Sequence, residues 1–259
     1  MTYPYRKRTG TMNQSSVATP ERASFRPLYS QIKALLVKRI GSGAWKPGEL
    51  LPSEFELALE YKVSQGTVRK ALTALEADRL IVRRQGRGTY VARHTRENAL
   101  FHFFRMVGPD DKRLTPASVV LSQNTQAAKP EQAAHLSVEP GTKLHALVRV
   151  RHFGGIPMIF EQIFVPADLM PGLAVKVGVE MDDEMYVIYE EVFGISIARA
   201  SERLAAVAVT AREAKHLRLE PGAPVLEIVR VACDVSGSPV ELRISRCNTH
   251  AARYAAEVY

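Results

Sequence analysis

The chain has 259 residues, of which 46% are hydrophobic and 24% charged, a globular balance with enough apolar material for two domain cores and too much for a mainly disordered chain. The net charge of +8 is unevenly placed: residues 1–93 hold 17 Lys/Arg against 7 Asp/Glu, and residues 94–259 hold 18 against 20. Cys233 and Cys247 stand far from any Cys/His ligand spacing, no apolar run approaches the roughly 18 residues of a membrane span, and no apolar stretch follows the N-terminal Arg6-Lys7-Arg8; the expectation is a cytoplasmic, membrane-free protein with no disulfide framework, metal or cofactor.

Residues 1–24 are polar and aperiodic and are expected to be a disordered tail. The tail holds only four of the 17 early cations, so the basic field belongs to folded sequence, where it attracts phosphate backbone. A helix is predicted from Pro27, with Leu28, Ile32, Leu35, Leu36 and Ile40 at helical spacing, ending at Gly41-Ser42-Gly43. Ser53 and Glu56 form a capping-box pair at the start of a second helix that runs to about Tyr61. Ser64 caps a third, whose apolar face is Val68, Ala71, Leu72 and Leu75. Leu80–Arg84 and Thr89–Val91, around Gln85-Gly86-Arg87-Gly88, read as a hairpin with a basic, glycine-rich tip.

Two short helices at a tight turn followed by a basic hairpin make a winged helix-turn-helix, assigned to residues 25–92. With its apolar face inward, the third helix leaves Gln65, Thr67, Arg69, Lys70 and Thr73 toward solvent. Gln65 and Arg69, one turn apart, can then reach base edges, since Arg pairs bidentately with guanine and Gln with adenine. Ser53, Ser64 and Thr67 suit phosphate contacts, and Gly86 lets the wing turn while Arg84 and Arg87 reach backbone or minor groove. Glu54, Gly66 and Gln85 complete the candidate DNA-binding set. A single exposed arginine is more often a solvated charge; the ordered succession of cap, turn, arginine and wing carries the argument.

Pro27-Leu28-Tyr29-x-Gln31-Ile32, Pro47-Gly48-x-x-Leu51-Pro52-Ser53-Glu54, Val63-Ser64-x-x-Thr67-Val68-Arg69-x-Ala71-Leu72 and Gln85-Gly86-Arg87-Gly88-Thr89-Tyr90-Val91 resemble the DNA-binding domain of GntR-type regulators. The resemblance implies a homodimer on a short palindromic operator in double-stranded DNA. Many members carry arginine at the positions of Phe55 and Gln65, so the base preference here departs from the family's usual one.

A connector over 93–98 leads to a domain assigned to 99–259. Hairpins are predicted over 143–153 with 156–165 and over 224–235 with 239–249, helices over 183–193 and 210–218, and a strand over 196–208. His135-Leu136-x-x-Glu139-Pro140-Gly141 followed by Val148-Arg149-Val150 recurs 81 residues later as His216-Leu217-x-x-Glu220-Pro221-Gly222 followed by Val229-Arg230-Val231. One unit used twice predicts a sheet with two pseudo-equivalent halves and a ligand between them; the alternative is a duplication with no pocket.

Arg149 and Arg151, two apart on a strand, share a face and call for anions. Glu161 and Glu241 on the following strands are read as partners for ligand hydroxyl or amine groups, unless these charges pair with one another. Arg149-x-Arg151, Gly155-x-Pro157-x-x-x-Glu161, the helix with Tyr186, and Gly237-x-Pro239-Val240-Glu241 resemble the HutC branch of that family, whose UTRA effector domain is similar to chorismate lyase. The resemblance implies an α+β fold, an antiparallel sheet behind the winged helix-turn-helix, and a small-molecule effector at Arg149, Arg151, Glu161, Tyr186 and Glu241. Related sensors of sugar phosphates have a small hydroxyl residue at Glu184 and a tyrosine at Cys247; a carboxylate facing phosphate repels it, so the expected effector is a non-phosphorylated anion. Phe101-His102-Phe103-Phe104 departs from the family pattern and has no assigned role. The expected function is a transcriptional regulator of the repressor type whose operator binding is modulated by that effector, with geometry changing at Arg93–Asn98. An enzyme is disfavoured: no nucleophile–base pair, phosphate loop or catalytic residue is recognised, and His135 and His216 are repeat-related. An effector-independent DNA-binding protein is the other alternative.

Overall fold

The computed structural model describes residues 26–95, 103–181, 183–250 and 252–256; the expected tail, most of the connector, and Phe101-His102 lie outside them. The first domain is α1 (Leu28–Gly41), α2 (Glu54–Tyr61), α3 (Gln65–Ala77) and the hairpin β1 (Ile81–Arg84) and β2 (Gly88–Val91). In α1, Ile32, Leu36 and Ile40 are buried four residues apart, whereas Leu28 and Leu35 are about half exposed, so the buried stripe is narrower than the apolar pattern. Ser53 and Glu56 close both halves of the capping box, Glu56 N–H to Ser53 Oγ at 3.2 Å and Ser53 N–H to Glu56 Oε2 at 2.8 Å. Ser64 Oγ accepts from the Thr67 N–H at 3.2 Å, and Val68, Ala71, Leu72 and Leu75 are buried. Those four pack with Leu36, Leu57, Ile81 and Val91 into one core, each fully buried Leu or Ile contributing roughly 1.5–3 kcal/mol.

The wing pairs Ile81 with Val91 and Arg84 with Gly88. Gly88 has φ +105°, a conformation that favours glycine, and a Cβ there would lie 2.7 Å from the Leu50 side-chain tip, which would have to move aside.

The second domain contains β3 (Met106–Val107), β4 (Ala117–Ala127), α4 (Pro130–Leu136), β5 (Lys143–Phe153), β6 (Ile156–Pro166), α5 (Met185–Phe193), β7 (Ile197–Ala208), α6 (Ala211–Leu217), β8 (Pro224–Asp234), β9 (Pro239–Cys247) and β10 (Arg253–Tyr254). Six strands form one antiparallel sheet in the order β4-β5-β6-β9-β8-β7. The repeat is strand–helix–hairpin: β4-α4-β5-β6 and β7-α6-β8-β9, joined where β6 meets β9. The duplicated unit therefore begins about twenty residues before the sequence similarity does. On one face α4 and α6 bury Ala133, Leu136, Ala214 and Leu217 against Phe160, Phe164 and Leu242. On the other, α5 lays Tyr186 and Tyr189 over Leu147, Ile163 and Ala232. Because strand side chains alternate, Arg149, Arg151, Glu161, Glu241 and Arg243 all point under α5.

Candidate functional site

The residues of the predicted DNA-binding set lie at the caps of α2 and α3, along α3 and on the wing. Ser53, Ser64, Gln65, Gly66, Arg69, Arg84, Gln85, Gly86 and Arg87 are exposed, and Thr67 is half-buried. Arg69 donates through Nε to Glu54 Oε2 at 2.9 Å, so Glu54 braces a cation rather than presenting itself to phosphate. Lys70 leans back over the Tyr29 ring, its Nζ 5.7 Å from the centroid. Arg84 stacks on Tyr90 at 4.7 Å, and the Tyr90 hydroxyl donates to the Arg87 carbonyl at 3.0 Å; the wing tip is stiffened by the residues beside it. Sequence reasoning passes over Arg83, the inward neighbour of Arg84, which donates to Thr73 Oγ1 at 3.3 Å and lies 3.6 Å from Glu76. It ties the wing to the recognition helix, and strand alternation was the available signal. Phe55, in the first turn of α2, is 61% exposed.

The effector-domain set is brought together beneath α5, but as a closed ionic cluster. Arg149 donates through Nε to Glu161 Oε2 at 2.5 Å, and Ser245 donates to Glu161 Oε1 at 3.2 Å. Arg151 donates to Glu184 Oε1 at 2.6 Å, and Glu184 Oε2 lies 3.8 Å from Arg149 Nη1. Glu241 is gripped bidentately by Arg243, at 2.9 and 2.8 Å, and accepts from Tyr186 at 3.2 Å and Tyr189 at 2.7 Å. The expectation that Glu161 and Glu241 await ligand hydroxyls or amines is thus corrected: both are consumed by arginines, because buried carboxylates at these positions need cations within reach.

Sequence reasoning also passes over Arg230, Arg243 and Glu202. Arg230 is the copy of Arg149 in the repeat, and it donates to Glu202 Oε1 at 2.7 Å and to the Phe103 carbonyl. Among the described residues the cluster balances four arginines (149, 151, 230, 243) against four glutamates (161, 184, 202, 241). Burial pushes the Glu161 carboxyl up, but Arg149, Arg243 and Arg151 overcome it and hold it well below the ordinary carboxylate range. Glu184 is likewise held low by Arg151 and Arg149 against the effect of burial. Burial brings Arg151 down to about 10 and raises Tyr186 to about 12, the latter helped by Glu241. Cys247, at the position where related sensors have tyrosine, is buried, and burial pushes its thiol up.

Three buried polar atoms remain without a hydrogen-bond partner at one corner: Arg149 Nη2, Arg151 Nε and Ser118 Oγ. Ser118 is paired across β4–β5 with Arg151 and so shares its face. Every carboxylate of the cluster is occupied, whereas these donors are not. Two spaces adjoin the cluster. A void of about 20 Å³, room for one water, lies among Phe103, Phe104, Arg151, Glu184, Tyr186, Arg230 and Arg243. A solvent-open cleft of about 1060 Å³ runs between the two domains.

Helix α5 touches both regions. Glu184 precedes its first turn, and its last turns hold the connector: Glu190 Oε1 accepts from the His94 N–H at 2.8 Å and Glu191 Oε1 from Arg93 Nη2 at 2.9 Å. His94 Nε2 also lies 2.8 Å from the Ile197 carbonyl. No helix of the described residues is long and apolar enough to cross a membrane.

The family model for bacterial regulatory proteins of the gntR family matches residues 28–91, and that for the UTRA domain matches residues 111–253. The chain is 33% identical over 216 residues to the HTH-type transcriptional repressor NagR of Bacillus subtilis, covering 83% of this chain and 88% of that one. It is 31% identical over 206 residues to the histidine utilization repressor of Pseudomonas aeruginosa, covering 79% and 80%. The crystal structure of PhnF from Mycobacterium smegmatis superposes with a TM-score of 0.52 at 25% identity, covering 88% of this chain and 99% of that one. These relatives are regulators rather than enzymes. With its winged helix-turn-helix and its duplicated sheet both matched, the chain belongs to the GntR family and is a DNA-binding transcriptional regulator with a UTRA effector domain.

Proposed function

We infer that the protein is a repressor that binds a short palindromic operator as a homodimer and is controlled by a small, non-phosphorylated anion held at Arg149 and Arg151. The single observation that carries the effector class is the trio of buried, unpartnered polar atoms Ser118 Oγ, Arg149 Nη2 and Arg151 Nε: two are guanidinium nitrogens that can only donate and the third is a hydroxyl that can do either, so the site takes a ligand that accepts hydrogen bonds. Charge sets the rest. The cluster is already neutral, and Glu184 stands against both arginines at 2.6 and 3.8 Å. A dianionic phosphate would add two negative charges to a buried cluster that is already neutral, whereas a carboxylate adds one and can be met by the spare donors.

On the DNA side, Gln65 and Arg69 read bases, and Ser53, Ser64, Thr67, Arg84 and Arg87 hold the backbone. Glu54 orients Arg69, and Lys70 is drawn from Tyr29 when the phosphate arrives. Effector and operator communicate through α5 and the connector, whose Arg93 and His94 are held by Glu191 and Glu190. Binding shifts the dimer between DNA-competent and DNA-incompetent geometries only by the effector's unequal affinity for the two.

A thermal-shift screen of the full chain against organic acids and sugar phosphates tests this, since a ligand of the native state raises the unfolding midpoint. Organic acids are expected to raise it and sugar phosphates not. Tight sugar-phosphate binding with none for organic acids overturns the assignment.

A further inference from the structure

Phe103 borders both spaces beside the cluster, the large cleft and the small void, and so does Arg230. Its ring stands edge-on to Tyr186, centroids 5.0 Å apart at 86°, and its carbonyl accepts from Arg230 Nη2. Phe104 lies behind it over Arg151, 4.7 Å from the guanidinium carbon, and packs on Phe153 within the core. Phe104 is thus a fixed wall, while Phe103 is half-buried and belongs to a rim. The void behind Phe103 holds one water at most, so no organic ligand reaches Arg151 from the cleft unless Phe103 moves.

The geometry points to Phe103 as a tethered occupant of the effector site, and to an aromatic carboxylic acid bearing a second, ring-borne oxygen as the effector that replaces it. The inference rests on the anion reading above and specifies it. Each contact that Phe103 makes names a part of its replacement. Tyr186 receives an aromatic ring edge-to-face, a geometry worth about 0.5–1.5 kcal/mol beyond burial. Arg151, on the near side, supplies the spare donor for the carboxylate. Arg230 enters from β8, three strand spacings of about 4.8 Å from β5; it keeps Glu202, 2.5 Å from its Nη2, but the Nη2 hydrogen that the Phe103 carbonyl accepts is left without a partner when that carbonyl leaves. A buried guanidinium N–H left without an acceptor is costly, so a ligand with an oxygen on the far side of its ring is favoured over one without. An aliphatic acid satisfies the carboxylate end alone.

The same displacement reaches the DNA-binding domain. The Phe103 ring is 6.0 Å from that of His94, the connector residue held by Glu190. An effector that evicts Phe103 removes one side of the His94 packing while leaving Glu190 in place, which is how occupancy of the cluster is felt at the connector.

Calorimetric titration of the full-length protein with 4-hydroxycinnamate, cinnamate, hexanoate and glucose 6-phosphate tests the inference. The expected order is 4-hydroxycinnamate first, cinnamate about tenfold weaker for want of an oxygen at Arg230, and hexanoate weaker again. Phe103→Ala should bind 4-hydroxycinnamate roughly tenfold more tightly, because the population with the site open is no longer limiting; Phe103→Leu, which keeps the packing volume, should fall between. Arg230→Met should erase the preference for 4-hydroxycinnamate over cinnamate while retaining cinnamate binding, a change that a merely structural role would not produce. Hexanoate binding as tightly as 4-hydroxycinnamate, with loss in Arg149→Met, overturns the aromatic class and leaves the anion reading standing. Glucose 6-phosphate as the only ligand overturns both. No heat from any of the four probes, in wild type and Phe103→Ala alike, overturns the inference.

Discussion

Arg69 in the recognition helix and Arg149 in the effector sheet are held in the same way, each donating through Nε to one glutamate oxygen, at 2.9 Å to Glu54 and 2.5 Å to Glu161. The Arg69 side chain is 62% exposed and that of Arg149 is 1% exposed. That difference reverses what the pair does. The exposed pair gains little from its partner because water solvates both charges, and it can open for a phosphate or a base edge at small cost. The buried pair cannot separate without stranding a charge in the protein interior. One domain keeps its arginines available; the other keeps them neutralised and offers only the donors that its glutamates leave over.

The largest expected effect comes from breaking the buried pair from one side. Glu161→Ala leaves Arg149 without its principal carboxylate and should cost about 3–5 kcal/mol. Glu54→Ala, the corresponding change in the DNA-binding domain, should cost no more than about 1 kcal/mol. Urea denaturation of both variants decides it, and equal losses would erase the distinction between the two arginines. Trp45 is the only tryptophan and lies in the core of the DNA-binding domain, so its fluorescence follows that domain, while amide hydrogen exchange on β6 and β9 follows the other.

Acid should produce the same contrast. Arg149 and Arg151 hold Glu161 and Glu184 below their ordinary value of 4.5. As pH falls, the unfolded chain therefore takes up these protons first, and the folded effector domain loses the stabilisation that it has in full above that range. Below about pH 4.5 the effector-domain transition, followed by amide exchange on β6 and β9, should move to lower temperature before that of Trp45. Coincident transitions down to the acid limit would show that the cluster contributes no such linkage.

The comparison also explains what was legible in the sequence. Ser53, Ser64 and the Val68–Leu75 stripe announce α2 and α3 because caps and periodicity are local, and the function of that domain faces outward from them. In the sheet, Arg149 and Arg151 are legible as a same-face pair, but their partners come from β6 and from the residue before α5, which no spacing rule connects. Arg230 was within reach, since Val229-Arg230-Val231 repeats Val148-Arg149-Val150; reading the repeat as a charge pattern as well as a fold pattern would have found it. Strand β4 escaped because Ser122–Gln126 is polar; α4 has the same seven-residue length as α6, which is predicted over 210–218, so for α4 the His135-Leu136 repeat is the available signal.

A smaller effect is expected from the exposed arginine itself. Arg69→Ala should weaken operator binding by about 1–3 kcal/mol and relax base choice at one position. Its cost to folding should stay within about 1 kcal/mol, because the pair with Glu54 is solvated. Fluorescence anisotropy on the operator and on single-base variants measures the first, and Trp45 emission in urea the second. A loss of affinity equal for every sequence would make Arg69 a backbone contact and leave Gln65 as the base reader.

A near-neutral effect on stability is the most informative about function. Removing both members of the buried pair, Arg149→Met with Glu161→Leu, strands neither charge and replaces them with apolar side chains of similar reach. Such exchanges are often neutral or stabilising, so the double variant should unfold within about 1–2 kcal/mol of the wild type, far from the Glu161→Ala value. Arg243, 3.8 Å from Glu161, keeps its bidentate partner Glu241, and Arg151 keeps Glu184. Operator affinity without effector should therefore be unchanged, because no residue of the DNA-binding domain touches the pair, while the response to effector should be lost along with the Arg149 Nη2 donor. A double variant that folds, binds the operator and still releases it on adding the effector would remove Arg149 from the sensing site. The pair would then be only a structural substitute for a hydrophobic contact.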